Sequence, residues 1–160
     1  MDLYSVFGNP IKHSRSPWIH TRFAEQTGQQ LMYTAEEIAI NDFDARVKSF
    51  FASGGKGLNV TVPFKENAWA LAEARSAAAQ LAGAVNTLYL NSEGLLFGDN
   101  TDGTGMVRDI TENLGWAIAG KNILVLRKSP PRGADYRPYF ASVEYRTLTI
   151  AGCRTRPFQV

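Results

Sequence analysis

The sequence predicts an α/β fold in which a mostly parallel sheet contains one antiparallel hairpin strand and has helices on both faces. Strand-like apolar segments alternate with helix-like segments along residues 1–126, which is typical of parallel sheets. Residues 83–90 and 95–99 are joined by turn residues 91–94 and predict the hairpin. The short apolar run at residues 120–126 indicates the truncated start of a Rossmann-type second domain.

The first elements are a strand and a helix. Residues 3–7 form the predicted strand, which ends at the turn Gly8-Asn-Pro10. Ser16 is the expected N-cap of the helix, Pro17 its first helical residue and Gly28 its end. The aromatic residues expected in the core are Trp18, Phe23, Phe43, Phe50 and Trp69.

A second strand lies within residues 31–40, and a helix capped by Asn41 follows it and ends at Gly54-Gly55. In the next strand, at residues 58–62, Asn59 and Thr61 alternate with apolar residues and therefore share one face.

Pro63 cannot donate to a strand ladder and ends that strand. The Ala-rich residues 64–80 then predict a single helix, with Lys65 near its start. After the hairpin, residues 100–114 predict another helix, which stops at Gly115.

Charge is distributed unevenly along the 160 residues. Residues 1–126 contain 10 basic and 13 acidic residues, a net charge of −3, whereas residues 127–160 contain 7 and 2, a net charge of +5. Without a basic stripe in the body of the chain, we expect no nucleic-acid partner. No apolar run reaches the roughly 20 residues of a membrane span, so we also expect no membrane partner.

The N-terminus has no signal-peptide pattern, and Cys153 is the single cysteine. Both observations predict a cytoplasmic protein without a disulfide framework. His13 and His20 have no third ligand in the pattern, so we expect no metal site.

Five motifs together resemble the substrate-binding half of the shikimate dehydrogenase family. The motifs are Gly8-Asn-Pro10, His13-Ser-Arg-Ser-Pro17, Asn59-Val-Thr-Val-Pro-Phe-Lys65, Gly83-Ala-Val-Asn-Thr87 and Gly98-Asp-Asn-Thr-Asp-Gly103. The resemblance covers residues 1–126. It implies an oxidoreductase of aromatic amino acid biosynthesis that interconverts 3-dehydroshikimate and shikimate with NADP(H). It also implies that the N-terminal domain holds the substrate and that a C-terminal Rossmann domain holds the cofactor.

The resemblance implies a role for seven residues. Ser14 and Ser16 resemble the hydroxyls that hold the substrate carboxylate, and Lys65 and Asp102 resemble the catalytic pair. The groups that resemble those holding the ring hydroxyls are Asn59, Thr61, Asn86 and Asp102. Taken singly, these residues have ordinary alternatives: Ser16 as a helix cap, Lys65 as a surface lysine, Asp102 as a charge at a helix start, and Asn86 as a turn residue.

We therefore divide the chain into a substrate-binding domain at residues 1–115, the first strand of a cofactor domain at residues 116–126, and a divergent tail rich in Pro and Arg at residues 127–160. Where the family has a glycine-rich phosphate loop, this chain has Arg127-Lys-Ser-Pro-Pro131. The NADP site is thus expected to be missing, and we hypothesise a frameshifted or truncated product whose original frame ends near Leu126. Such a chain should bind shikimate weakly and turn nothing over.

Two alternatives stay open. The chain could derive from a quinate-accepting relative, or it could be a non-catalytic binding module built from the substrate domain. The choice between NADP and NAD and the oligomeric state are not determined by these residues.

Overall fold

The computed structural model describes residues 1–128 and 147–153. The chain divides into two compact units, Met1–Thr101 and Asp102–Val160. The elements of the first unit are β1 (Asp2–Gly8), α1 (Ser16–Thr27), β2 (Leu31–Glu37), α2 (Phe43–Ala52), β3 (Gly57–Val60), α3 (Lys65–Leu71), β4 (Ala74–Arg75), α4 (Ala77–Ala82), β5 (Thr87–Leu90) and β6 (Leu96–Asp99). A 3₁₀ turn at Ile40–Asp42 leads into α2.

The six strands of this unit form one sheet in the order β2-β1-β3-β5-β6-β4. β5 is antiparallel to both of its neighbours, whereas the remaining pairs are parallel. The predicted fold class, including the single reversed strand of the hairpin, is therefore confirmed. Because β5 is reversed, its first residue lies at the end of the sheet where β1, β3 and β6 terminate.

The two faces of the sheet bury different clusters because successive strand residues point to opposite sides. Phe7 and Leu58 face α2, α3 and α4 and belong to the larger cluster. Val6 and Tyr33 face the other side, where α1 packs, and form a smaller cluster with Ile11. The fully buried residues of the larger cluster include Phe7, Phe43, Phe64, Leu58, Leu88, Val47 and Val85.

The start of α1 differs from the prediction. Ser16 is the first helical residue and not the N-cap, which is Arg15 and makes no side-chain capping bond. Instead, the N–H of Ser16 donates to Oγ of Ser14 at 3.3 Å. The core assignment was also wrong for Trp18 and Phe23, which are 64% and 55% exposed, because α1 buries Ala24 against the sheet.

The single helix predicted over residues 64–80 was wrong. The chain leaves α3 after Leu71 and forms β4, which pairs with β6, before Ser76 caps α4 through the N–H of Ala79. The Arg75 guanidinium folds back onto the end of α3 and donates to the carbonyls of Trp69 and Ala72, both at 2.6 Å. Helix propensity along the sequence does not register such contacts.

The second unit contains α5 (Asp102–Arg108), a π-helical turn at Asp109–Asn113, β7 (Asn122–Lys128) and β8 (Thr147–Cys153). Its helix and the strand at residues 120–126 match the prediction. β7 and β8 are parallel over their full lengths. The sequence analysis assigned no element to residues 127–160, and the rest of that tail lies outside the described residues.

None of the helices in the described part of the chain has the length and apolar composition of a membrane span.

Candidate functional site

The loops that follow β1 and β3 meet at the end of the sheet where these two strands terminate. The N–H of Thr61 donates to the carbonyl of Phe7 and the N–H of Asn9 donates to that of Val62, both at 3.0 Å. Gly8 lies between them, and a Cβ there would approach Cγ2 of Thr61 to 2.5 Å. The absence of a side chain at Gly8 therefore allows the two loops to approach closely.

A cavity of about 240 Å³ opens beside these loops and contains three of the predicted site residues, Ser14, Ser16 and Thr61. Its lining consists of Val6, Pro10, Ile11, His13, Ser14, Ser16, Thr61 and Val62. Three hydroxyl groups against an apolar wall suit a small ring that carries polar substituents.

Asn59 lies within β3, as predicted, whereas Thr61 follows the last strand residue, Val60. The Oδ1 of Asn59 accepts a hydrogen bond from the hydroxyl of Tyr33 at 2.6 Å. Its Nδ2 donates to the carbonyl of Asn86 at 3.3 Å and to Oγ1 of Thr87 at 3.2 Å. The amide therefore connects β2 to the start of β5.

Asn86 immediately precedes β5 and is fixed on several sides. Its backbone N–H donates to the carbonyl of Asp99 at 3.0 Å, which ties it to the end of β6. Its Nδ2 donates to Oγ1 of Thr101 at 2.9 Å, and its Oδ1 accepts from Oγ1 of Thr87 at 2.9 Å. The structure thus joins the predicted residues Asn59 and Asn86 in one hydrogen-bonded chain.

The two residues of the predicted catalytic pair lie at helix starts. Lys65 is the half-buried first residue of α3. Its backbone carbonyl accepts a hydrogen bond at 2.9 Å from the N–H of Val85, the residue before Asn86. Asp102 is the first residue of α5 and follows Thr101. Asp102 belongs to the second unit, whereas the other six predicted residues belong to the first.

Two side chains near the site, Tyr33 and His20, have pKa values that are shifted by burial. Burial raises the pKa of the Tyr33 phenol above its usual range, and a hydrogen bond with the Ser16 side chain lowers it by a smaller amount. The His20 ring stacks on Tyr33 with centroids 4.1 Å apart, and burial lowers the pKa of that imidazole. Burial in this apolar setting therefore favours the uncharged form of both rings.

The sequence reasoning missed Tyr33, His20 and Thr101 as parts of this network. Tyr33 belongs to none of the five motifs. The sequence does place Leu31 and Tyr33 two residues apart on one strand, so their side chains share a face of the sheet. That spacing does not identify Asn59 as the hydrogen-bond partner of Tyr33. No group of three His, Cys, Asp or Glu residues in the described ranges is arranged to hold a metal ion.

The family model of the shikimate dehydrogenase substrate binding domain matches residues 6–88. The chain belongs to the shikimate dehydrogenase family. That match includes six of the seven predicted site residues and stops before Asp102.

Relatives extend the similarity beyond the matched domain. The shikimate dehydrogenase (NADP(+)) of Hahella chejuensis is 60% identical over 126 residues, which cover 79% of this chain and 46% of that protein. The enzyme of the same name from Marinobacter nauticus is 58% identical over 163 aligned residues, covering 98% of this chain and 59% of that protein. This chain thus spans about half the length of these shikimate dehydrogenases.

A solved structure gives the same family. The shikimate 5-dehydrogenase of Listeria monocytogenes, in complex with shikimate and NAD, superposes with a TM-score of 0.83 at 28% identity. The superposition covers 99% of this chain and 54% of the Listeria protein.

Proposed function

We propose that this chain is the substrate-binding part of an NADP-dependent shikimate dehydrogenase and that it binds shikimate and 3-dehydroshikimate. The observation that supports this most directly is the cavity lined by Ser14, Ser16 and Thr61. Asn59 on β3 lines a second cavity of about 400 Å³, and its amide donates to the carbonyl of Asn86, which immediately precedes β5. A small carboxylated polyol needs hydroxyl and amide groups that converge from several loops, at the end of the sheet where open α/β folds bind ligands.

The start of α1 suits the carboxylate of the substrate. Oγ of Ser14 already accepts the N–H of Ser16, which leaves the hydroxyl proton of Ser14 for an anion. α1 has 12 residues, and its N-terminus carries the positive end of the helix dipole. Pro17 has no N–H, and the N–H groups of Ser16 and Ile19 bond to Oγ of Ser14 and to the carbonyl of Arg15, so the side-chain hydroxyls are the main donors here. A carboxylate beside Ser14 and Ser16 would therefore receive charge-assisted hydrogen bonds.

Lys65 and Asp102 are the proposed catalytic pair, on the basis of the family motifs. In an enzyme that also has a cofactor domain, NADPH would supply the hydride to the carbonyl carbon of 3-dehydroshikimate and become NADP⁺, and the ammonium of Lys65 would donate a proton to the carbonyl oxygen. In the reverse direction, the same amine takes the proton from the hydroxyl of shikimate.

The sequence from the end of β7 onward does not fit the cofactor that the relatives' name implies. A pyrophosphate loop needs backbone N–H groups and glycines, whereas Arg127-Lys-Ser-Pro-Pro131 contains no glycine and two prolines without N–H. The proposal for this chain is therefore substrate binding without turnover.

Two observations favour the tail as a continuation of the second domain over a shifted reading frame. The alignment with the Marinobacter relative covers 98% of the chain, and β8 pairs in parallel with β7 as expected for the first two strands of a Rossmann-type unit. The coding DNA tests this inference. An alternative frame after codon 126 that encodes a glycine-rich turn and a further βα pattern would contradict it.

The binding proposal is tested by titrating shikimate into the ¹⁵N-labelled 160-residue chain. We expect a dissociation constant in the millimolar range, about −4 kcal/mol, with shifts at Ser14, Ser16 and Thr61. Ser14→Ala should weaken binding by about 10-fold or more, because a charge-assisted hydrogen bond contributes about 1.5–3 kcal/mol. Ser92→Ala, on the exposed hairpin turn, is the matched control and should bind as the parent does.

Absence of shifts in these loops at tens of millimolar shikimate would refute the binding proposal. A parallel titration with quinate tests the alternative ligand, which should bind more weakly. In an NADP-reduction assay with shikimate we expect no product, and steady NADPH formation by a pure sample would contradict the assignment of a missing cofactor site.

A further inference from the structure

Tyr33 reaches the candidate site from two strands away. β1 lies between β2 and β3, where Tyr33 pairs with Tyr4 and Asn59 pairs with Val6. The phenol must cross β1 to place its hydroxyl 2.6 Å from Oδ1 of Asn59. The ring is 9% exposed and stacks on His20 at an interplanar angle of 3°. Packing thus fixes the position of this hydroxyl.

The partners of Asn59 fix the direction of its amide. The carbonyl of Asn86 can only accept, so Nδ2 of Asn59 must face β5 and Oδ1 must face Tyr33. The Tyr33 hydroxyl is therefore the donor in that bond. Because both N–H groups of Nδ2 are used by Asn86 and Thr87, Asn59 can offer a ligand only the second lone pair of Oδ1.

The chain of hydrogen bonds continues toward the end of β6. Oγ1 of Thr87 donates to Oδ1 of Asn86, and Nδ2 of Asn86 donates to Oγ1 of Thr101. The N–H of Thr101 also donates to Oδ1 of Asn86 at 3.2 Å. Linked hydrogen bonds of this kind polarise and stiffen one another, so the loss of the first bond would loosen those that follow.

We propose that Tyr33 is a positioning residue of the substrate site, which fixes Asn59 as a hydrogen-bond acceptor for a ring hydroxyl of the bound substrate. This inference rests on the proposed function, because it takes shikimate as the ligand.

The test replaces Tyr33 by phenylalanine in the complete 160-residue chain, which removes the hydroxyl and keeps the ring against His20. Two ligands are titrated by NMR: shikimate, and cyclohex-1-ene-1-carboxylate, which has the carboxylate but no ring hydroxyl. We expect Tyr33→Phe to raise the dissociation constant of shikimate about 5–10-fold, the worth of one hydrogen bond. The dissociation constant of the hydroxyl-free analogue should change less than about twofold, because the hydroxyls of Ser14 and Ser16 remain.

Tyr89→Phe is the matched control. Tyr89 lines the same cavity of about 400 Å³ as Tyr33 and Asn59, and its hydroxyl makes no hydrogen bond among the described residues. In the ligand-free chain, the side-chain amide resonances of Asn59 should move in Tyr33→Phe and stay in place in Tyr89→Phe. A purely structural role for Tyr33 would not produce this difference together with the split between the two ligands.

Equal weakening of both ligands would overturn the proposal in favour of general packing, as would parental shikimate affinity in Tyr33→Phe. If the parent chain binds neither ligand, the proposed function is refuted. The side-chain amide resonances of Asn59 then still test whether the hydrogen bond from Tyr33 to Asn59 forms. If Tyr33→Phe does not fold, Thr87→Val is the second variant, because it removes the hydroxyl that connects Asn59 to Asn86. It should weaken the binding of shikimate more than the binding of the hydroxyl-free analogue. Parental affinity in that variant would also overturn the proposal.

Discussion

The serine and asparagine side chains of the candidate site differ in what they can offer a ligand. Ser14 retains a hydroxyl proton for an anion because its oxygen already accepts the N–H of Ser16. Asn59 retains a lone pair because both of its N–H groups are used. The carboxylate and a hydroxyl of the proposed substrate would therefore have separate complementary partners, which would favour one orientation of its ring.

Lys65 should affect chemistry more than binding. In a chimera that joins residues 1–121 to the cofactor domain of the Marinobacter relative, we expect Lys65→Ala to lower kcat about 10²–10⁴-fold and to change KM much less. The exposed Lys56 provides a control, since Lys56→Ala should leave kcat unchanged. Turnover of Lys65→Ala within threefold of the parent chimera would remove Lys65 from the mechanism.

His20 should make stability depend on pH. Burial lowers the pKa of His20 below 6.5, so the unfolded chain takes up this proton first as the pH falls through 6.5. The free energy of unfolding should therefore decrease between pH 7.5 and pH 5.5, and it should decrease less in His20→Phe. Urea unfolding at both pH values measures this difference. His13→Gln, at an exposed position, serves as the control, and an identical pH dependence in the parent and His20→Phe would contradict the prediction.

Individual residues also show where prediction from the sequence fails. The motifs located Ser14, Ser16 and Thr61, which line one cavity, because recurring residue types at fixed spacing are visible in the sequence. The partner of Tyr33 was not visible, because that bond joins residues 26 positions apart across an intervening strand. Trp18 was placed in the core because an apolar stripe does not reveal which part of a helix is covered.

At the level of the elements, close packing at glycines positions the site. Gly8 allows β1 to turn beneath the loop that carries Thr61, where a methyl group would lie 2.5 Å from Cγ2 of Thr61 and 2.8 Å from Cδ1 of Ile11. Both neighbours line the cavity. The width of this cavity therefore depends on Gly8, although Gly8 is not among the residues that line it.

Gly8→Ala should push these two side chains apart and weaken shikimate binding several-fold. Overpacking of this kind costs about 1–3 kcal/mol of the free energy of unfolding. NMR titration and urea unfolding measure the two effects. Gly105→Ala is a suitable control, because no atom lies within 4 Å of its added Cβ and alanine is favoured in helices by about 1 kcal/mol. Unchanged shikimate affinity in Gly8→Ala would refute this account.

The elements themselves were predictable where the hydrophobic period was long and uninterrupted. β1, β2, β3 and the hairpin were found, whereas α3, β4 and α4 were merged into one helix. The break depends on the guanidinium of Arg75 and on the carboxylate of Glu73, which accepts the N–H of Leu96 at 2.7 Å. The Glu73 contact joins residues 23 positions apart, whereas the Arg75 guanidinium bonds carbonyls only three and six residues before it. The local Ala-rich composition gives no sign of either contact.

At the scale of the whole molecule, six of the seven predicted site residues belong to the first unit, whereas Asp102 and the tail belong to the second. Both hydrophobic clusters are built from residues of the first unit. The second unit contributes the parallel pair of β7 and β8. The sequence predicted the strand at residues 120–126 but gave no signal for β8, because that strand follows a stretch rich in Pro and Arg.

A chain shortened to residues 1–101 should fold, because it retains both clusters and the six-stranded sheet. We expect cooperative urea unfolding and amide resonances for the cavity-lining residues that superpose on those of the full chain. Collapse of the amide spectrum on truncation would show instead that the first unit depends on the second.

The reversed direction of β5 makes the hairpin a convenient attachment point for a reporter. β5 begins at Thr87 and β6 finishes at Asp99, both at the end of the sheet where the candidate site lies. The turn at residues 91–94 therefore lies at the other end of these strands, roughly 13 Å from Thr87 for four strand residues. Oδ1 of Asn91 accepts the N–H groups of Glu93 and Leu95, which closes this turn without any contribution from the site. A dye attached at position 92, or a peptide inserted there, would therefore leave the ligand-binding residues in place.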